Sequence, residues 1–157
     1  MNAHQRARRS RGQALVELAL VLPVLLILMF GVIEFGRFMF AYATLNNAIR
    51  EGSRYAIVHG STAACPSGPQ SVPANLSPCY DTDGVRFGNI QNAVRRSAFT
   101  FGQSPDLVVD VPLWPDNTND RGWRVIVSAS YTWRTLIPLV PLPPITMQAS
   151  STDVINY

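Results

Sequence analysis

From Ala14 to Ile33 the chain runs for 20 residues with one ionisable side chain, Glu17. At about 1.5 Å rise per helical residue, that run matches the roughly 30 Å of bilayer hydrocarbon. Such a stretch reads as a transmembrane helix, and a chain of 157 residues then has room for the anchor plus one modest domain. Pro23 lies inside the run, where a kink is tolerated because membrane helices re-satisfy the carbonyl that proline frees. Glu17 is the costly residue. A carboxylate at a helix centre in lipid costs at least about 2 to 3 kcal/mol, and less near an end, so it calls for either a partner or snorkelling to the interface.

Charge is distributed unevenly around this run. All thirteen basic residues are arginines, set against ten carboxylates, and Arg6, Arg8, Arg9 and Arg11 precede Gly12. Without residues 1–12, nine arginines face ten acids, a net charge of −1. The alkaline character therefore belongs to the leader, which argues against a nucleic-acid binder with its basic folded surface. Four arginines before an apolar helix are a cytoplasmic anchor under the positive-inside rule, with everything after Ile33 outside the cytoplasm. Ordinary secretory cleavage fits poorly: Ala41-Tyr42-Ala43 imitates a cleavage site, but the apolar run is too long, and Glu34 and Arg37 intervene.

The helical pattern continues past the membrane run. Phe35, Phe38, Tyr42, Leu45, Ile49 and Ala56 recur at helical steps, predicting one helix from about Ala14 to Val58 whose distal half is the spine of the soluble domain. Ala48, Gly52 and Ala56 form a small-residue stripe suited to close approach by another element, most simply one of the same domain. His59 and Gly60 end the helix, and a Pro/Ser/Gly-rich loop over residues 59–80 contains Cys65 and Cys79. In a chain facing away from the cytoplasm these read as one disulfide, closing a loop that contributes about 3 kcal/mol in the chain-entropy model.

After candidate N-caps at Asp81-Thr82-Asp83, residues 83–101 read as a second helix with Phe87, Ile90, Val94, Ala98 and Phe101 on one face, closed by Gly102. The period then becomes two. Leu107, Val109 and Val111 mark a strand, and Trp123, Val125, Val127, Ala129, Tyr131 and Trp133 mark the clearest one. Leu136 to Pro144 holds four prolines and is excluded from a central strand, while Ile145 to Ile155 reads as the last strand. The expected fold is α+β: a long N-terminal transmembrane helix continuing into an extracytoplasmic domain with a second helix and an antiparallel sheet of about three strands. The expected divisions are a basic leader over 1–12, a transmembrane segment over 13–34 and the domain over 35–157.

No catalytic constellation stands out. His59 is the sole histidine beyond the leader, and no nucleophile elbow, P-loop, dinucleotide fingerprint or zinc-helix motif occurs. Asp81, Asp83, Asp106, Asp110, Asp116 and Asp120 lie mainly in turn-forming stretches, where local side-chain bonding accounts for them. The chain reads as a non-enzyme without cofactor or metal.

Arginines followed by Gly12-Gln13-Ala14-Leu15-Val16-Glu17, then Gly31-Val32-Ile33-Glu34-Phe35-Gly36-Arg37 and Asn47-Ala48-Ile49-Arg50-Glu51-Gly52-Ser53-Arg54-Tyr55-Ala56, closely resemble the TadE-like family, pilin-like proteins of the bacterial tight-adherence (Flp) pilus system. The resemblance covers residues 11–58. It implies a minor pilin or pseudopilin, cut by a prepilin peptidase between Gly12 and Gln13, with Glu17 as the fifth mature residue. Gln13 departs from the phenylalanine common at this position in many type IV pilins. The resemblance also implies partners: the peptidase, other TadE- or TadF-like minor pilins, the inner-membrane platform with its cytoplasmic ATPase, and the pilus. The alternative is an uncleaved single-pass envelope scaffold recruiting components of a secretion system.

Overall fold

The computed structural model describes residues 3–63, 65–69, 88–136 and 143–156. Its helix α1 runs without interruption over Ala3–Val58, 56 residues or about 84 Å, with Pro23 inside it. The distal end falls where expected, but the helix begins before Ala14, because nothing from Ala3 to Gly12 breaks it: the stretch is mostly alanine, glutamine and arginine, all good helix formers. Helix α2 spans Gly88–Ser97, and three strands follow, β1 (Leu107–Val109), β2 (Arg124–Trp133) and β3 (Ile145–Val154). They form one antiparallel sheet in the order β1-β2-β3. The α+β architecture is the expected one.

The chain divides into two compact units, Met1–Met39 with Thr135–Leu142, and Phe40–Arg134 with Pro143–Tyr157. In the first, the apolar window of α1 is wholly exposed.

In the second unit α1 buries Ala41, Thr44, Leu45, Ala48, Ile49, Gly52, Ser53 and Ala56. These alternate by three and one along the chain, the stripe that 3.6 residues per turn lays on one side of a helix. The one buried threonine is satisfied locally, its hydroxyl donating to the Phe40 carbonyl at 2.8 Å. Two residues assigned to this face from periodicity are not on it: Phe35 is 65% exposed and Tyr42 45%. Leu45, Ile49 and Ala56 are on it as expected, and small residues, Ala41, Thr44, Ala48, Gly52 and Ser53, fill the rest of the buried side.

Ile90 and Val94 of α2 and the following Ala98 are fully buried, as are Val125 and Val127 of β2. The second helix is shorter than its periodicity suggests. Residues 81–87, including the proposed caps Asp81 and Asp83 and the apolar Phe87, lie outside the described residues. At the other end, Phe101 N–H and Gly102 N–H both reach the Ala98 carbonyl, so the chain tightens into a turn. Strand β1 stops at Val109: Val111 is exposed and Pro112, which has no N–H to offer a ladder, is buried in its place. Trp123, expected on the core face of β2, is 46% exposed. Gly122, with φ +90°, donates to the Ile155 carbonyl while Trp123 accepts from Ile155 N–H, so two residues oppose one and the bulge re-aims the indole.

The loop after α1 is tied to the turn before β2. Asn119, 8% exposed, donates through Nδ2 to the Ser67 carbonyl at 3.0 Å, and its own carbonyl accepts Ser61 N–H at 3.0 Å. Beside it, hydrogen bonds from the Ser61 and Thr118 hydroxyls hold the Asp120 carboxyl below its ordinary value of 3.8. A depressed carboxylate stabilises the fold above its unfolded value and stops doing so as pH falls through the folded one. The expected result is that Asp120→Asn lowers the melting temperature slightly at neutral pH, with the difference from wild type shrinking below pH 3.8. Parallel thermal melts across pH check this, and a difference that grows with acidification contradicts it.

Candidate functional site

The residues singled out by the sequence lie mainly along α1. Gly12, Gln13 and Glu17 are exposed on its first turns within the described side chains, and a Cβ added at Gly12 would meet nothing within 4 Å. The Gly12–Gln13 peptide bond is inside the helix. Around Glu17 stand Leu15, Val16, Leu18 and Leu20, each more than half exposed. Among the described residues α1 holds the one stretch long and apolar enough to cross a membrane.

Glu34 closes the apolar run. Its side chain, 12% exposed, accepts from the Arg37 guanidinium at 2.5 Å and from the backbone N–H of Leu136 at 2.6 Å. One carboxylate thus holds a cation on its own helix and a donor 102 residues away in sequence. Sequence reasoning did not find this link, because local patterning carries no signal for a contact at that separation.

Farther along, Ala48 and Ala56 are buried and Gly52 faces α2 and β2. A Cβ on Gly52 would overlap the Val94 side chain and lie 3.4 Å from Val127 Cγ1. The stripe is therefore filled from within the domain. Glu51 and Tyr55 of α1 line a cleft of about 280 Å³ with Asn89, Asn92, Ala93, Arg96 and Ser97 of α2. The cleft mixes two amides, two hydroxyls, one carboxylate and one guanidinium. At the end of α1, His59 stacks on Tyr55 with ring centroids 3.9 Å apart, and its Nδ1 lies 2.8 Å from the Tyr55 carbonyl. That is a helix-terminating role for the histidine. Cys65 is half-buried in the following loop, and Cys79 lies outside the described residues.

Apolar helix, early glutamate and boundary Glu34/Arg37 pair all fall within one stretch of sequence. Residues 12–54 match the family model of the TadE-like proteins. The TadE-like segment begins at the glycine before Gln13 and ends four residues short of the end of α1. It takes in Glu17, the Glu34–Arg37 pair and most of the stripe packed on α2, but none of α2 or the sheet. No curated protein and no solved structure matches the chain.

Proposed function

We propose that this chain is a minor pilin or pseudopilin of a tight-adherence pilus system, inserted by α1 in the cytoplasmic membrane with its domain on the far side. The observation that carries the reading is the coincidence of the TadE-like segment with an exposed apolar helix that holds Glu17 near its start. Four leader arginines favour the cytoplasmic side for the N-terminus. The partners in this reading are a prepilin peptidase, related minor pilins, the inner-membrane assembly platform and the pilus.

Cleavage after Gly12 is part of the same reading. Glycine lowers helix stability by about 1 kcal/mol relative to alanine, so the bond to Gln13 sits at a point of reduced local helix stability. The new α-amino group on Gln13 supplies a cation for the Glu17 carboxylate of a neighbouring subunit. In hydrocarbon that pairing removes the cost of two lone charges and sets axial register. Cys65 and Cys79 belong to this picture as a disulfide made outside the cytoplasm.

The decisive test is the intact mass and N-terminal peptide of membrane-extracted protein, with and without the candidate peptidase. The expected product starts at Gln13 only when the peptidase is present, and is lighter by the pair of hydrogens lost when Cys65 and Cys79 oxidise. Retention of residues 1–12 regardless of the peptidase favours the uncleaved scaffold. For Glu17→Ala and Glu17→Leu, the expected outcome is normal membrane insertion with pilus incorporation down about tenfold, since an unpaired amine in lipid costs more than 1.4 kcal/mol. Fractionation and pilus shearing measure the two quantities separately, and undiminished incorporation of both variants removes the register role.

A further inference from the structure

Glu34 occupies the position at which α1 leaves its apolar run, and its carboxylate accepts the backbone N–H of Leu136 at 2.6 Å. Leu136 itself turns outward and is 76% exposed. Neither fact is explained by packing within the soluble domain, whose buried side chains do not include Leu136. Phe35 and Met39, on α1 just beyond Glu34, are likewise 65% and 45% exposed. In an aqueous setting, three large apolar side chains left in water beside the exit of a membrane helix are a liability.

The sequence around this point supports another setting. No charged residue occurs between Arg134 and Asp153, and the six residues after Leu136, which lie outside the described residues, are all aliphatic or proline. A backbone N–H at the edge of the hydrocarbon costs least when it is already bonded. Here the N–H of Leu136 is already bonded to Glu34. The Arg37 guanidinium, paired with the same carboxylate at 2.5 Å and 41% exposed, suits the level of lipid phosphates.

We propose that Leu136, held at the exit of α1 by Glu34, is a second contact of this chain with the bilayer, seated in its interfacial layer. The partner is the lipid surface, and the device holds Leu136 at membrane level through a hydrogen bond rather than a second spanning segment. The inference rests on α1 spanning the membrane, and its test separates the two.

Full-length Leu136→Trp, Val21→Trp and Thr152→Trp proteins are reconstituted in phosphatidylcholine/phosphatidylglycerol vesicles carrying lipid brominated either near the headgroup end or near the methyl end of the acyl chain. Quenching beyond that of the wild-type tryptophans is read for each. The expected result is strong quenching of Val21→Trp by both lipids, and quenching of Leu136→Trp by the headgroup-end bromines at about twice the level of Thr152→Trp. Adding Glu34→Ala to Leu136→Trp is expected to reduce that quenching to the Thr152→Trp level. Quenching of Val21→Trp with none at Leu136→Trp overturns the proposal while leaving the membrane anchor intact. Absence of quenching at Val21→Trp overturns both, and undiminished quenching in the Glu34→Ala background overturns the tether.

Discussion

Gly52→Leu is expected to unfold the soluble domain or to destabilise it by about 3 kcal/mol or more, whereas Gly36→Leu on the same helix leaves the domain's stability unchanged. A Cβ at Gly36 would meet nothing within 4 Å, while a Cβ at Gly52 already overlaps Val94 of α2 and reaches Val127 of β2. Both neighbours are fully buried in a close-packed interior, and a leucine adds three further carbons. Intrinsic helix propensity favours leucine over glycine by nearly 1 kcal/mol at both positions, so the contrast isolates packing. Near-UV circular dichroism during chemical denaturation of detergent-solubilised protein measures it. The double variant Gly52→Ala/Val94→Ala is expected to recover part of the loss seen with Gly52→Ala alone, since the two sites share one contact. A Gly52→Leu protein that keeps full stability but loses assembly would move the stripe from the interior of the domain to an interface between subunits.

The second large effect falls at Gly102. A Cβ there would overlap the Arg95 carbonyl oxygen and come within 3.0 Å of the Ala98 carbonyl oxygen. Backbone cannot swing aside as a side chain does, and both carbonyls belong to the end of α2 and its closing turn. Gly102 N–H donates to Ala98 at 2.5 Å, and the Arg95 guanidinium donates to the Gly102 carbonyl at 3.3 Å. The preceding Phe101 is buried, its ring stacked on Tyr131 of β2 with centroids 4.2 Å apart. Gly102→Ala is therefore expected to cost about 2 to 4 kcal/mol, by displacing the turn and with it the Phe101–Tyr131 stack. The measurement is the denaturation midpoint, with near-UV signal reporting the aromatic pair. Wild-type stability in Gly102→Ala would mean that the turn relaxes without disturbing Phe101, contrary to this geometry.

These two glycines mark the limits of what local patterning reveals. Gly102 was legible as a chain-turning glycine, but α2 ends earlier, at Ser97, and the tight approach of the Arg95 carbonyl to Gly102 was not legible. Ala48, Gly52 and Ala56 were legible as a close-approach stripe, yet which element approaches depends on where α2 and β2 return in space. Periodicity placed Leu45, Ile49 and Ala56 correctly but also took Phe35 and Tyr42 as core: Phe35 precedes the buried stripe, which begins at Ala41, and Tyr42 lies off it between Ala41 and Thr44.

The membrane-length run, the glutamate inside it, the asymmetric arginines, the end of α1 at Val58 and the α+β class were all determined by the sequence alone, because each depends on composition or on a short-range repeat. The TadE-like resemblance belongs with them, being confined to one continuous helix. Only the tertiary structure decided what that helix touches: the aliphatic seat for Gly52, the bulge that turns Trp123 outward, and the Glu34 carboxylate that receives Leu136. These contacts join residues tens of positions apart, and their free energy exists only once the chain has closed the loops between them.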